Sequence, residues 1–118
     1  MSIRKSDVPT ICKATIGRNR GRKQYIILDP DSCKDRDIYH EFFHVLGLLH
    51  EHQRSDRDDH ITIKWENIPY ADTLHFAKLK RSKTLDLQYD ITSIMHYLPT
   101  QGASPEGASS IVSKVLKY

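Results

Sequence analysis

The stretch His40-Glu41-Phe42-Phe43-His44-Val45-Leu46-Gly47-Leu48-Leu49-His50-Glu51 constrains this chain more than any other. Residues four apart on a helix stand one turn above the other, so the imidazoles of His40 and His44 can reach one cation. Glu41 lies beside them, close enough to polarise a water at that cation. Gly47 follows, and His50 comes three residues later. A bare H-E-x-x-H arises by chance fairly often, whereas H-E-x-x-H-x-x-G-x-x-H specifies two further positions in order and is a strong signal.

The helical reading stands on its own periodicity. At about 100° per residue, Ile38, Phe42, Val45, Leu46 and Leu49 project onto one broad stripe, which is expected to pack into a core. His40 and His44 lie roughly opposite, flanked by Asp37 and Glu41, and are expected to present nitrogen ligands to a cleft. The helix is predicted from about Asp35 to Leu46, with Asp35 or Asp37 capping or charging its first turn. Gly47 is the expected stop, a left-handed position where a side chain would be strained. Ending the helix there turns the chain back, so that His50 approaches the same ion from a third direction. Three neutral imidazoles with an open fourth position suit a catalytic Zn²⁺. Solvated histidines beside a surface glutamate are the plainer alternative; the register of Glu41, Gly47 and His50 weighs against it.

With 118 residues, 38% hydrophobic and 28% charged, the chain is one small domain or a piece of a larger one, globular but only modestly apolar. Its formal net charge is +3, with a pI near 8.9. The excess sits in Arg18, Arg20, Arg22 and Lys23, and again in Lys78, Lys80, Arg81 and Lys83. A module for nucleic acid or a heparin-like glycan is conceivable from such clusters. Both are short, lack interleaved aromatics and come with no nucleic-acid motif, so solvated loops and no nucleic-acid partner are expected. The two cysteines, Cys12 and Cys33, form no Cys-x-x-Cys pair, which argues against a thiolate metal site. One disulfide bracketing the segment before the helix would imply an oxidising compartment; two buried free thiols are the other reading. Residues 1–9 hold no apolar run of signal-peptide length, and no stretch is apolar enough to cross a membrane. Any segment directing export is expected to lie outside this sequence.

Taken in order, Met1 to Thr10 reads as an irregular lead-in and Ile11 to Ile16 as a short strand. Gly17 to Lys23 is a charged turn. Gln24 to Leu28 is a β-branched and aromatic strand, ended by Asp29-Pro30-Asp31-Ser32. Beyond His50, a dense charged loop runs from Glu51 to Asp59, and Ile61 to Ile63 alternates like a strand. A short helix is expected over Asp72 to Lys80, a flexible loop over Pro99 to Ser110, and a last strand from Ile111 to Tyr118. His52, His60, His75 and His96 have no ligand spacing to the main group and are read as structural or surface histidines.

With the histidine segment and Ser93-Ile94-Met95-His96-Tyr97 both in view, the chain resembles the astacins, secreted zinc endopeptidases of the metzincin group. Glu51 directly after the third histidine, and then Arg54, Asp56, Arg57 and Asp58, belong to the same pattern. The similarity runs from about Cys12 to about Val115. It implies an α+β, zincin-like domain: a small sheet plus the active-site helix in the N-terminal part, a mostly irregular C-terminal part, and a cleft between them. The division would fall at about 11–50 and 51–118. One Zn²⁺ per chain would be held by His40, His44 and His50. Glu41 would be the general base and Met95 an apolar floor under the metal. Tyr97 would be the tyrosine that ligates zinc at rest and swings to the developing oxyanion. Gly47 and Glu51 would be structural, and Cys12 would pair with Cys33. Gln24 to Leu28 would be the edge strand that pairs with a protein or peptide substrate in extended form. The implied activity is zinc-dependent, extracellular endopeptidase action.

The family's catalytic domain is longer. Its first strands and helix, its C-terminal helix and a second disulfide find no match, so a truncated domain is expected. The family's contact between the residue matching Glu51 and a freed amino terminus is not carried over. Truncation brings an alternative, a catalytically impaired, zinc-binding interaction module derived from a protease. Retention of Glu41 and Tyr97 weighs against it, because a structural zinc site needs neither.

Overall fold

The computed structural model describes residues 1–18, 20–80 and 83–115, in two units, Met1–Leu49 and His50–Tyr118. In the first unit, β1 (Ser2–Lys5), β2 (Cys12–Ala14) and β3 (Tyr25–Leu28) form one sheet in the order β1-β3-β2. β1 runs parallel to β3 with Ser2 opposite Tyr25, and β2 runs antiparallel to it with Cys12 opposite Leu28. This corrects two expectations. The lead-in is not irregular: Ser-Ile-Arg-Lys has little strand character of its own, but β3 supplies a complete ladder of partners, and strand preference is set largely by such context. β3 is not an edge strand. It is paired on both sides, so its backbone cannot accept a substrate, and among the described residues the free edges belong to β1 and β2.

The Cys12–Cys33 disulfide ties β2 to the residues just ahead of the helix, with the two Cα atoms 5.9 Å apart. Asp29 organises the same corner, accepting from the Thr10 amide at 2.9 Å and the Ser32 hydroxyl at 2.5 Å. Those donors hold its carboxyl below the ordinary range. Closing a loop over a sequence separation of 21 removes freedom from the unfolded chain, an effect of about 3 kcal/mol for loops of this order. Reduction is therefore expected to lower the urea midpoint of unfolding clearly, which denaturation with and without reductant will read.

The helix α1 spans Asp35–Leu46. Its first turn is closed by Asp37, whose carboxylate accepts the Lys34 amide at 2.9 Å. Gly47 ends it at φ 103°, and the Leu48 amide folds back to the Phe43 carbonyl at 3.0 Å. The β2–β3 loop is fastened to this last turn. The Gly17 amide donates to the His44 carbonyl at 2.8 Å, and the Gln24 side chain donates to the carbonyls of Gly17 (2.8 Å) and Val45 (3.3 Å). Of the apolar stripe expected to face a core, only Val45 is buried. Ile38, Phe42 and Leu49 are 39–42% exposed and Leu46 60%, while the buried residues of α1 are Glu41, His44 and Val45. The side of α1 that is buried carries Glu41, His44 and Val45, and a three-stranded sheet covers only one side of a helix.

In the second unit, β4 (Ile61–Ile63) and β5 (Ile111–Ser113) form an antiparallel pair with Ile61 opposite Ser113. Short 3₁₀ helices cover Glu51–Gln53, Arg57–Asp59, Trp65–Asn67 and Tyr70–Phe76. The expected helix over Asp72 to Lys80 is thus a 3₁₀ segment that starts earlier, directly after Pro69. Ile61, Ile63, Ile68, Phe76 and Ile111 make the core. The charged segment after His50 is not all solvated: Arg57 is buried and donates to the carbonyls of His52 (3.0 Å) and Phe76. The loop from Pro99 to Ser110 is pinned rather than flexible. The Ser104 amide donates to Asn67 at 2.7 Å, the Asn67 side chain to the Ser109 carbonyl at 2.8 Å, and the fully buried Ser110 hydroxyl to Gln101 at 2.6 Å. The last strand stops at Ser113; Leu116 to Tyr118 of the expected strand, and Arg81 of the second basic cluster, lie outside the described residues. Among the described residues, no helix is long and apolar enough to cross a membrane.

Candidate metal centre and active site

His40 and His44 project from consecutive turns of α1, and their ring centroids are 4.6 Å apart. His50 follows the Gly47 turn. Each of the three offers one ring nitrogen, and these nitrogens lie within 4.8 Å of one another. Their protonation suits metal binding. The Nδ1 of His44 lies 2.8 Å from the Leu48 carbonyl, which only accepts, so Nδ1 carries the proton and Nε2 keeps its lone pair. The Nδ1 of His50 is likewise placed to donate to the Gln53 amide oxygen at 3.3 Å. Such second partners fix the tautomer and aim of a ligating ring. Burial lowers the pKa of His44, and the neighbouring His40 adds to this, so its ring is held neutral. Three imidazoles converging in this way are a donor set that fits one Zn²⁺.

Glu41 is buried, and burial pushes its carboxyl up to about 7, with the Ala14 amide opposing the shift and the Asp37 charge adding to it. The Ala14 contact also locates the residue against the sheet. The next amide, of Thr15, donates inward to Tyr25 at 3.0 Å, so the Ala14 amide points out from the free edge of β2. Glu41 therefore sits at that edge.

In the second unit, Met95 is 2% exposed and lies in the turn expected for it. Its amide donates to the Ser93 hydroxyl at 3.1 Å, and its carbonyl accepts the Glu51 amide at 3.0 Å. Glu51, directly after His50, is thus joined to the methionine turn. Its carboxylate also accepts from Arg54 at 2.9 Å and from the Asp90 amide at 3.0 Å. Arg54 reaches Asp56 with two further bonds, and its cation holds the Asp56 carboxyl below the ordinary range.

Tyr97 is half-buried and its ring lies 5.0 Å from that of His50. Burial raises its pKa, with the Asp72 charge adding to the shift, so the phenol keeps its proton to donate.

Two residues of this neighbourhood were not legible from ligand spacing. His52 is fully buried with its ring 3.9 Å from that of Tyr97, and its Nε2 donates to the His75 carbonyl at 2.9 Å. Burial drives its pKa down to about 3, so it is a neutral packing surface for Tyr97. His96 bridges the Tyr89 hydroxyl and the Tyr97 carbonyl, each at 2.6 Å, and holds the backbone of Tyr97. The only sequence signal for either was proximity to His50 and Tyr97.

Comparison with known proteins agrees with this geometry. The family model described as Astacin, a peptidase family, matches residues 2–118. An astacin-like metalloendopeptidase of Gallus gallus is 48% identical over 101 residues, covering 86% of this chain and 25% of that protein. The zinc metalloproteinase nas-5 of Caenorhabditis elegans is 39% identical over 112 residues, covering 91% of this chain and 31% of that protein. Among solved structures, high choriolytic enzyme 1, a hatching enzyme zinc-protease from Oryzias latipes, superposes with a TM-score of 0.85 at 35% identity, covering 97% of this chain and 56% of that one. The chain thus spans well under half the length of these two curated relatives. By family model, sequence identity and fold alike, it belongs to the astacin family of zinc metallopeptidases.

Proposed function

We propose that the protein is an extracellular, zinc-dependent endopeptidase. The observation that carries this is the convergence of three ring nitrogens beside a buried glutamate at the free edge of a strand. His40, His44 and His50 hold the metal. Bound zinc supplies Lewis acidity to water and to a carbonyl oxygen. Glu41 takes the proton from the attacking water and returns it to the leaving amine, acting as base and then as acid. The Tyr97 hydroxyl donates a hydrogen bond to the oxygen on which charge develops. Met95 is the residue the family pattern assigns to the apolar floor of the site, and Glu51 braces its turn against the backbone following His50. The substrate is a protein or peptide in extended form. Pairing along the outer edge of β2 would carry its backbone past Glu41, which the outward-pointing Ala14 amide holds at that edge. The disulfide supports placement in an oxidising compartment.

Cleavage of a fluorogenic peptide library, with zinc measured on the same sample, tests this reading. Chelator-sensitive cleavage restored by zinc is the expected result. Tight zinc binding without cleavage of any peptide would leave instead a zinc-holding interaction module, and cleavage indifferent to chelator would remove the metal from the reaction altogether. Tyr97→Phe separates its role from that of the ligands. Losing one preorganised oxyanion donor reduces turnover by about 10²–10³-fold, and the variant is expected to show that loss in kcat with zinc content unchanged.

A further inference from the structure

We infer that the first unit carries a second binding site, a basic cavity for a sulfated glycan. An open concavity of about 980 Å³ lies beside β1 and the β2–β3 loop, and Arg4, Arg18, Arg20, Arg22 and Lys23 line it together with Gln24. Among the described residues, no carboxylate lines it. All five cations are exposed, and among the described residues none pairs with an aspartate or glutamate, whereas Arg54, Arg57, Lys64 and Lys78 all do. What sets the cluster apart is that its five cations line one concavity together. Lys78 of the other basic run is neutralised by Asp58 at 2.7 Å. The sequence reading of the loop as merely solvated also lacked Arg4, which only the pairing of β1 with β3 brings to the same cavity.

Five like charges crowded around one concavity repel one another. The loop is kept there by other bonds, from Gln24 to Gly17 and Val45 and from Gly17 to His44. An anion spanning the cavity would relieve that repulsion. Four of the five are arginines, whose planar guanidinium groups offer paired donors matched to sulfate or phosphate oxygens. The volume is that of a site for a ligand of several hundred daltons, which a short oligosaccharide fills. Nucleic acid is disfavoured because, among the described residues, no aromatic side chain lines the cavity for base stacking. The disulfide in the same unit places the site in an oxidising compartment, away from the anionic cytoplasmic leaflet. Sulfated glycans are the polyanions that remain. The site does not depend on peptide hydrolysis.

Calorimetric titration of the full chain with a heparin octasaccharide, at several salt concentrations, tests the assignment. Saturable binding that weakens with salt is expected. Arg18→Glu combined with Arg20→Glu and Arg22→Glu should weaken it at least tenfold, while Lys78→Ala with Lys80→Ala should leave it unchanged. The corresponding triple arginine-to-lysine variant should keep the salt slope, because the charge count is kept, yet bind severalfold more weakly for want of paired donors. An unchanged melting temperature confirms that each variant is folded. Undiminished binding by the charge-reversed chain overturns the proposal. So does equal affinity for a desulfated octasaccharide, or tighter binding of a single-stranded oligonucleotide or of phosphatidylserine vesicles.

Discussion

Glu41→Gln is expected to retain one zinc per chain and to lose peptide hydrolysis by at least about 10²–10⁴-fold, the range that a positioned acid–base group contributes. The substitution is nearly isosteric. The amide oxygen of glutamine can still accept from Ala14, so the contact that locates the side chain at the edge of β2 survives. The neutral amide cannot take a proton from water, and that is the single property removed. Stability should be unchanged or slightly raised, because a buried carboxyl is replaced by a group with no charge to desolvate. Comparing kcat/KM, zinc content and thermal midpoint on one preparation decides the matter. Activity within threefold of the parent chain would take Glu41 out of the chemistry and leave the three histidines as a structural site.

Phe76→Ala is expected to produce the largest loss of stability. Phe76 is wholly buried, in a unit whose core otherwise consists of four isoleucines. Truncating a buried phenylalanine to alanine typically costs about 3–5 kcal/mol, a large share of the roughly 5–15 kcal/mol that holds an ordinary domain folded. The surroundings are poorly able to collapse into the space. A Cβ on Gly102 would come within 3.0 Å of the Phe76 ring, so that loop already lies against it, and the loop is pinned through Ser104 and Ser110. The ring also stands edge-on to Tyr97 at 5.7 Å and beside His52 at 5.6 Å. Urea unfolding should therefore show a strongly lowered midpoint, and peptide turnover should fall in the fraction that remains folded. Phe76→Leu should recover most of the stability and less of the turnover, since it refills volume without restoring the aromatic wall. A midpoint shift below what about 1 kcal/mol produces would show that Phe76 is not central to this core.

How the site became legible differs from residue to residue. The bounds of α1 and its stop at Gly47 were readable because a capping carboxylate and a left-handed glycine act within a few residues. The tyrosine and methionine were legible only as a resemblance, since neither residue type announces its role without the turn around it. His52 and His96 were legible only as structural or surface histidines, without their partners. Their roles rest on a carbonyl of His75, a hydroxyl of Tyr89 and the ring of Tyr97, partners that spacing along the chain does not encode.

What the amino-acid order determined by itself was local: a twelve-residue helix, the placing of His40 and His44 one turn apart, and a glycine that lets the chain turn towards His50. Tertiary structure alone decided which way that helix faces. Periodicity found the apolar stripe, but bonds from the Gly17 amide and the Gln24 side chain and the Ala14 contact hold the side bearing Glu41, His44 and Val45 to the first unit, leaving Ile38, Phe42, Leu46 and Leu49 exposed. It also decided that β3 is central and β2 free-edged, because a strand's place in a sheet depends on which partners reach it, and β1 reaches β3 from a segment with little strand preference. Hydrogen bonds between distant backbone segments set both outcomes, and they leave no periodic trace in the sequence.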